Sequence, residues 1–249
     1  MKRYFLTLAA VCLAIGAMAV DLPKQGFGIQ VGFSQPILRL NSPDTSLPKD
    51  SMANTRNLNG FKVGLVYDAS YIAGFGSTIG FNYTFGMSQG SWKNYSQLNQ
   101  YPRSRSLITY HQAELFVDWQ YKFEIAKETY LILYTGPTLQ CGIEFKMRED
   151  VQREDIPTGE IHKETGEWNS AYQTDKSNEQ IRRLNITWGV GAGFQYKRYF
   201  LRGGYDFGLI NPYKNAQFID AAGNSLDRNT RGRMDQWNIR LGVYMWYHE

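Results

Sequence analysis

The residues most able to do acid–base or metal chemistry are three histidines and two cysteines, and their spacing predicts no reactive site. His111, His162 and His248 are widely separated, and the sequence contains no HExxH pair, no glycine-rich phosphate-binding loop and no cysteine–histidine cluster. Cys12 falls in an N-terminal apolar segment, which leaves Cys141 without an internal disulfide partner in the rest of the chain. We therefore predict a non-catalytic protein without a metal or a cofactor.

His111 allows one alternative, a lipid-modifying enzyme. Such an enzyme needs a histidine, a hydroxyl group and a carboxylate on a surface that faces lipid. His111 shares a strand face with apolar residues, and Thr109 lies two residues before it. A histidine at a membrane interface explains the same pattern, and we favour that interpretation.

Charged residues on the inward face of the strands are the second feature that could do chemistry. Five residues fall near the middle of their strands on the polar face, and we predict that they form one network: Glu114, Asp118, Arg202, Asp206 and Arg240. The strands of Asp206 and Arg240 are neighbours, so we expect an ion pair between them, because buried charges must pair. The network is either a salt-bridged plug or a gate for ions. The narrow interior of a small barrel favours the plug.

The elements that position these residues are β-strands, because apolar and polar residues alternate through most of the chain. In the last strand, Trp237, Ile239 and Leu241 share one face, whereas Asn238 and Arg240 share the other. A shift by one residue would place Arg240 in lipid, so the register is well specified. The alternation predicts eight strands, near 26–38, 58–68, 75–88, 107–122, 129–147, 184–197, 199–213 and 236–247.

The two faces of these strands predict a membrane barrel rather than a soluble β-sandwich. The polar face is rich in glycine, which leaves room for large neighbours inside a small barrel. The same glycines would weaken strands whose polar face met bulk water. In the fifth strand, the alternation predicts Ile143 and Phe145 on the lipid face and Glu144 on the inner face.

The connections between strands alternate in length. Long links fall near 39–57, 89–106, 148–183 and 214–232, and short links near 69–74, 123–128 and 197–199. Long extracellular loops and tight periplasmic turns are typical of outer-membrane barrels, with both chain ends on the periplasmic side. The link at 148–183 mixes charges of both signs without a hydrophobic pattern, so we predict a solvated loop there. Such a loop is a candidate site for a protein partner, lipopolysaccharide or a divalent cation.

The N-terminus has the layout of a secretory signal peptide. Lys2 and Arg3 precede an apolar segment, and Ala17-Met18-Ala19 offers small residues at the cleavage positions. A membrane anchor is the alternative, but the apolar segment is too short to span a bilayer. The predicted domains are a signal peptide at 1–19 and a β-barrel at 20–249.

Composition agrees with this interpretation. Aromatic residues make up 15% of the chain, although no later apolar run reaches the roughly 18 residues of a spanning helix. Many aromatic residues fall at strand ends, as expected for the two interface belts of a membrane barrel. The predicted outer belt contains Phe85, Trp92, Phe145, Trp188 and Trp237. Removal of the signal peptide leaves a nearly neutral chain, which gives no electrostatic basis for binding nucleic acid.

The end of the last strand resembles the terminal signal that barrel-assembly machinery reads. Its polar, glycine, apolar and aromatic positions correspond to Arg240, Gly242, Met245 and Tyr247. The chain departs from the signal by continuing to His248 and Glu249. With these residues and its eight strands, the chain resembles the outer-membrane β-barrel domain family, the "porin family" of small barrels that includes the PorT-like proteins. It is also similar in architecture to the OmpA-type barrel.

The sequence thus predicts an all-β fold, a closed, up-and-down barrel of eight antiparallel transmembrane strands in the outer membrane of a Gram-negative cell. The predicted function is a structural or interaction role at the cell envelope, without catalysis. The predicted partners are outer-membrane lipid, lipopolysaccharide, the barrel-assembly machinery and a protein bound at the extracellular loops. The alternatives are a narrow porin-like channel for small solutes or ions and a lipid-modifying enzyme.

Overall fold

Strands form all of the regular structure that the computed structural model describes. The described residues are 24–41, 55–72, 74–90, 92–94, 103–155, 158–170, 172, 181–212 and 231–248. The strands are β1 Lys24–Asn41, β2 Thr55–Asn57, β3 Gly60–Ile72, β4 Phe75–Gln89, β5 Lys93–Asn94, β6 Arg103–Ala126, β7 Thr129–Asp155, β8 Glu160–Thr165, β9 Asn169–Ser170, β10 Leu184–Tyr196, β11 Tyr199–Gly208 and β12 Arg231–His248. No helix in this part of the chain has the length and apolarity needed to cross a membrane. The predicted all-β, antiparallel fold is confirmed, and the predicted signal peptide lies outside the described residues.

The eight long strands form a closed ring. Their order is β1, β3, β4, β6, β7, β10, β11 and β12, and β12 pairs with β1 again. Each long strand therefore lies beside the next long strand along the chain, in antiparallel orientation. Closure gives every one of these strands a neighbour on both sides, so backbone donors and acceptors are paired around the ring. The short strands extend the sheet at the end of the ring where the long links lie.

Apolar side chains cover the outside of the ring and polar side chains line its inside. On the outer face, Leu65 is 48% exposed and Ile239 is 58% exposed. On the inner face, Gln30 is 2% exposed and Gln195 is fully buried. This is the reverse of a water-soluble protein, whose apolar side chains are the buried ones. The alternation in sequence produces it, because successive side chains of a strand point to opposite faces.

A β-bulge in β7 reverses the predicted orientation of two residues. His111 pairs with Glu144 and Gln112 pairs with Gly142, so Ile143 is an extra residue on β7. Beyond this bulge the alternation changes phase. Glu144 lies opposite His111 and is partly exposed, whereas Phe145 is 5% exposed. The predictions of an inward Glu144 and an outward Phe145 in the outer belt were therefore wrong.

The charged segment after residue 147 is not the loop that its composition predicted. β7 continues to Asp155, where it pairs with the beginning of β6 on one side and with β8 on the other. β9 pairs with β7 at Lys146 and Met147. The β6–β7 hairpin therefore extends well beyond the ring. Both faces of this extension carry polar residues, so its sequence lacks the apolar–polar alternation that predicts a strand.

The inside of the ring changes from polar to apolar at the end with the long links. A buried apolar cluster lies there, composed of Leu38, Leu58, Ile108, Tyr110 and Phe145. The cavity beside this cluster encloses about 20 Å³, which is room for one water molecule. The cluster separates the polar inner surface from the long-link side.

Candidate functional site

The inner face of the ring carries the charged residues that the sequence singled out. The five predicted members are between 1% and 8% exposed: Glu114, Asp118, Arg202, Asp206 and Arg240. Three more buried charged residues lie on the same face: Lys62, Asp68 and Lys122. The eight residues carry equal numbers of acidic and basic groups, so the interior is close to neutral when all are ionised.

Asp68 on β3 connects strands from several sides of the ring. Its Oδ1 accepts a hydrogen bond from Lys122 Nζ at 2.9 Å. Its Oδ2 is 3.0 Å from Arg202 Nη2 and accepts a hydrogen bond from the Tyr244 hydroxyl at 2.8 Å. Gln120 Nε2 donates a further hydrogen bond of 3.0 Å. Because β6, β11 and β12 supply these partners, one carboxylate fixes the spacing of four strands.

Glu114 on β6 is the centre of a second group. Lys62 Nζ on β3 lies 2.6 Å from its Oε2. Its Oε1 accepts hydrogen bonds from Gln112 Nε2 at 3.1 Å and from Gln236 Nε2 at 3.2 Å. Gln236 belongs to β12, on the opposite side of the ring from β6. The hydrogen bond between Gln236 and Glu114 therefore crosses the interior.

Arg240 pairs across the ring rather than with its neighbouring strand. Its Nη2 lies 3.4 Å from Asp118 Oδ2, and its guanidinium stacks 4.7 Å from the centre of the Phe116 ring. The predicted ion pair with Asp206 is not formed, because the register places Asp206 opposite Gln236. Asp206 instead accepts hydrogen bonds from amide groups, including Asn238 Nδ2 at 2.9 Å.

Lys62, Asp68 and Lys122 are the network members that sequence reasoning missed. The alternation of apolar and polar residues puts all three on the polar face of their strands, and this was the available signal in the sequence. Asp68 and Lys122 lie toward the short-turn ends of their strands, and only mid-strand positions had been included in the predicted network. Their contacts depend on the stagger of strands around the closed ring, and the alternation within a single strand does not predict that stagger.

Glycine provides the space that large interior side chains occupy. A Cβ atom on Gly242 would collide with the Phe200 ring, and one on Gly191 would collide with the Tyr134 hydroxyl group. Phe200 and Tyr134 are 2% and 5% exposed, so neither has a solvent-exposed position to move into. Gly242, predicted as part of an assembly signal, thus also has a packing role.

The other residues of the predicted assembly signal lie along the end of β12. Arg240 faces inward, whereas Met245 is 54% exposed on the outside. Phe27 pairs with Trp246 and Gly28 pairs with Tyr244, so Met245 is the extra residue of a second bulge. The backbone of Tyr247 pairs with Gly26. The recognition of these residues by assembly machinery stays a prediction.

His111 lies on the outer face of β6 in a polar cluster. Its Nδ1 is 2.7 Å from the Tyr83 hydroxyl group, and its Nε2 is 3.9 Å from Glu144 Oε2. Glu144 is also 2.5 Å from Lys146 Nζ. The hydroxyl group in contact with His111 is thus that of Tyr83. Thr109, the residue named with His111 from the sequence, pairs instead with Lys146 in the strand register.

Comparisons with known proteins give structural similarities but no family. No family model matches the chain, and no curated protein matches it. The resemblance to the porin family therefore stays a prediction.

Several solved structures are similar over most of the chain. Ail, the attachment invasion locus protein of Yersinia pestis in complex with the heparin analogue sucrose octasulfate, has a TM-score of 0.36 and 12% identity, covering 88% of this chain and 97% of that one. Neisserial surface protein A has a TM-score of 0.35 and 12% identity, covering 89% and 99%. The N-terminal β-barrel domain of Pseudomonas aeruginosa OprF has a TM-score of 0.22 and 10% identity, covering 86% and 97%. Similarities at this level assign neither a family nor an activity to the chain.

Proposed function

We propose that the protein is an integral β-barrel of a Gram-negative outer membrane, with a non-catalytic role that its projecting extracellular surface performs. The observation that carries this proposal is the apolar outer face of a closed strand ring. On β12 that face runs from Trp237 to Met245, a length of about nine residues, which matches a tilted membrane-spanning strand. Water would make such a surface unstable, whereas lipid stabilises it.

The closed ring also meets the second requirement for a barrel in lipid. The hydrocarbon core offers no hydrogen-bond partners, so an open sheet edge is excluded there. Pairing of β12 with β1 removes the edge. Polar side chains are then tolerated, because they face the interior and bind one another across it.

The interior supports a plug rather than a channel. Eight strands leave an interior just wide enough for side chains. Ion pairs between Asp68 and Arg202, and between Asp118 and Arg240, cross that interior. A solute would have to break these pairs in order to pass.

The extracellular rim supports an interaction role because it is ordered by buried carboxylates. Asp150 lies 2.9 Å from Arg105 and 3.1 Å from Arg148. Asp235 lies 3.0 Å from Arg233 and also contacts Arg39. Each fully buried acid thus binds two arginines. Interaction surfaces held in place before binding lose less side-chain entropy when a partner arrives.

Fractionation tests this proposal directly. The protein should sediment with outer membranes, and its migration on gels should change on heating, because a folded barrel resists detergent until it is heated. Recovery of the protein from the soluble periplasm would contradict the proposal. The proposed partners are outer-membrane lipids, the assembly machinery that inserts the last strand, and a protein bound at the projecting hairpin.

A further inference from the structure

The outer face of the β6–β7 hairpin runs without interruption from the apolar surface of the ring to the projecting part. In the apolar part, Leu115 pairs with Leu139 and Ala113 pairs with Cys141. The next outward-facing pairs carry charge: His111 with Glu144, Thr109 with Lys146, Leu107 with Arg148, and Arg105 with Asp150. One face of two strands thus changes from apolar to charged where the bulge at Ile143 occurs.

This charged segment presents cations beside aromatic rings. We call it the cationic stripe and define it by His111, Lys146, Arg148, Arg105, Trp92 and Trp168. The Arg148 guanidinium stacks 4.9 Å from the centre of the Trp168 ring, and the Arg105 guanidinium stacks 4.7 Å from the centre of the Trp92 ring. Lys146 is 42% exposed in its side chain and Trp168 is 40% exposed. Both therefore remain accessible to a ligand.

Two acidic residues, Asp150 and Glu144, form ion pairs with cations of the cationic stripe. Their main effect is to orient those cations rather than to repel an anionic ligand. Asp150 is buried between Arg105 and Arg148, and its side chain is 1% exposed. Glu144 lies between Lys146 and His111 on the outer surface. Among the described residues that define the stripe and the acids paired with them, the accessible charges are those of Lys146 and part of Arg148 against the carboxylate of Glu144. This balance favours a ligand with negative charge.

We propose that the cationic stripe binds the phosphorylated sugar headgroup of an outer-leaflet glycolipid, lipopolysaccharide, while its acyl chains lie on the apolar face below. The proposal rests on the proposed function and adds a partner and a surface to it. Two properties point to this ligand. The stripe is continuous with the lipid-facing surface, and its cations complement phosphate, which binds ammonium and guanidinium groups through charge-assisted hydrogen bonds. Aromatic rings such as Trp168 offer a flat surface for sugar.

Binding can be measured with purified protein in detergent micelles by native mass spectrometry. The two probes are bis-phosphorylated lipid A and the same lipid with both phosphates removed. We expect the wild-type protein to prefer the phosphorylated form by at least about fivefold, and Lys146→Gln to reduce that preference about threefold, the size of a partly exposed ionic contact. Glu144→Gln should increase it, because that change removes the carboxylate that repels phosphate.

The matched control is Lys197→Gln. Lys197 is 55% exposed at the short-turn end of the ring, so the variant removes the same charge from the opposite rim. An unchanged preference in this variant supports the site. Equal binding of the two lipids by wild type, or equal losses in Lys146→Gln and Lys197→Gln, would overturn it. A loss in Glu144→Gln would also overturn it, because a cation bridge rather than direct phosphate contact would then hold the lipid.

Failure of the membrane proposal would be visible separately. The wild-type protein could be absent from outer membranes and yet keep its preference for phosphorylated lipid in micelles. That result would support lipid binding by the stripe and contradict the membrane proposal. If the protein were present in outer membranes without that preference, only the proposal of lipid binding by the stripe would be contradicted.

Discussion

Arg202 and Arg240 lie directly opposite one another on the paired strands β11 and β12. Each binds a carboxylate elsewhere in the ring: Arg202 lies 3.0 Å from Asp68 and Arg240 lies 3.4 Å from Asp118. Two cations on adjacent strands repel one another unless each has its own counter-charge. The pair of arginines is therefore stable only while both cross-ring ion pairs persist.

Replacement of Arg240 by alanine tests this dependence. Asp118 would lose its cation in a buried position, and breaking a buried ion pair in this way costs about 3–5 kcal/mol. We expect the variant to unfold at a clearly lower temperature, measured as the midpoint of the heat-dependent gel shift. The interior would also gain net negative charge, which favours leakage of cations.

Arg153→Ala is the control for this experiment. Arg153 is 65% exposed and pairs with Glu164 on the projecting hairpin, so its loss should change stability little. The double variant Arg240→Met/Asp118→Leu removes both charges and should recover much of the lost stability. If Arg240→Ala melted like the wild type, the cross-ring ion pair would not contribute to stability.

Conductance distinguishes the plug from the channel. Reconstituted into planar bilayers, the wild-type protein should pass little or no steady current, because cross-ring bonds at Asp68 and Glu114 span the interior. A porin in the same bilayers provides the positive control. Large, stable and ion-selective currents would reject the plug and favour the channel.

Alternation in sequence predicted most of the fold because a strand repeats every two residues and this chain interrupts that repeat rarely. The failure in assigning faces occurs at a bulge. Ile143 is apolar, so its insertion left the apolar–polar pattern looking regular, and the predicted faces of Glu144 and Phe145 were exchanged. The partners of Asp68 and Arg240 were also beyond sequence reasoning, because cross-ring contacts depend on strand stagger and side-chain reach.

Cysteine labelling tests the orientation of the ring in the membrane. In a Cys141→Ser background, a cysteine at Asn169 should react with an impermeant thiol reagent on intact cells, because β9 lies on the long-link side. A cysteine at Gln217, which lies outside the described residues, is predicted to do the same. A cysteine at Ala126, in a short-turn position, should react only after lysis. The reverse pattern would show that the barrel has the opposite orientation.

Substitution of Gly242 separates packing from recognition by assembly machinery. Gly242→Ala should lower stability by about 1–3 kcal/mol, because the added methyl group meets the Phe200 ring in a filled interior. Gly203→Ala is the matched control, since the nearest atom to a Cβ there is 3.9 Å away. The readouts are the melting midpoint and the fraction of protein that resists protease in the membrane.

A second substitution then identifies the cause. If packing explains the defect, Gly242→Ala/Phe200→Leu should recover part of the stability and insertion, because the clash with the Phe200 ring is removed and the 2.6 Å approach to the Ile29 carbonyl oxygen remains. If that double variant stays defective in insertion while the folded fraction melts normally, the glycine acts in recognition instead. Tyr247→Ala should reduce insertion in either case, provided that the terminal aromatic residue is read as a signal.

The pairing of β1 with β12, which we call the seam, determines when the ring can close during folding. Gln25 lies beside His248, so the pairing that closes the ring joins segments from opposite ends of the folded sequence. The intervening hairpins are local and can form early, whereas the seam has a high contact order and must form late. Until the last strand arrives, two unpaired strand edges and a continuous apolar surface remain open to aggregation. Pairing of β12 with β1 is therefore the step that removes both edges at once.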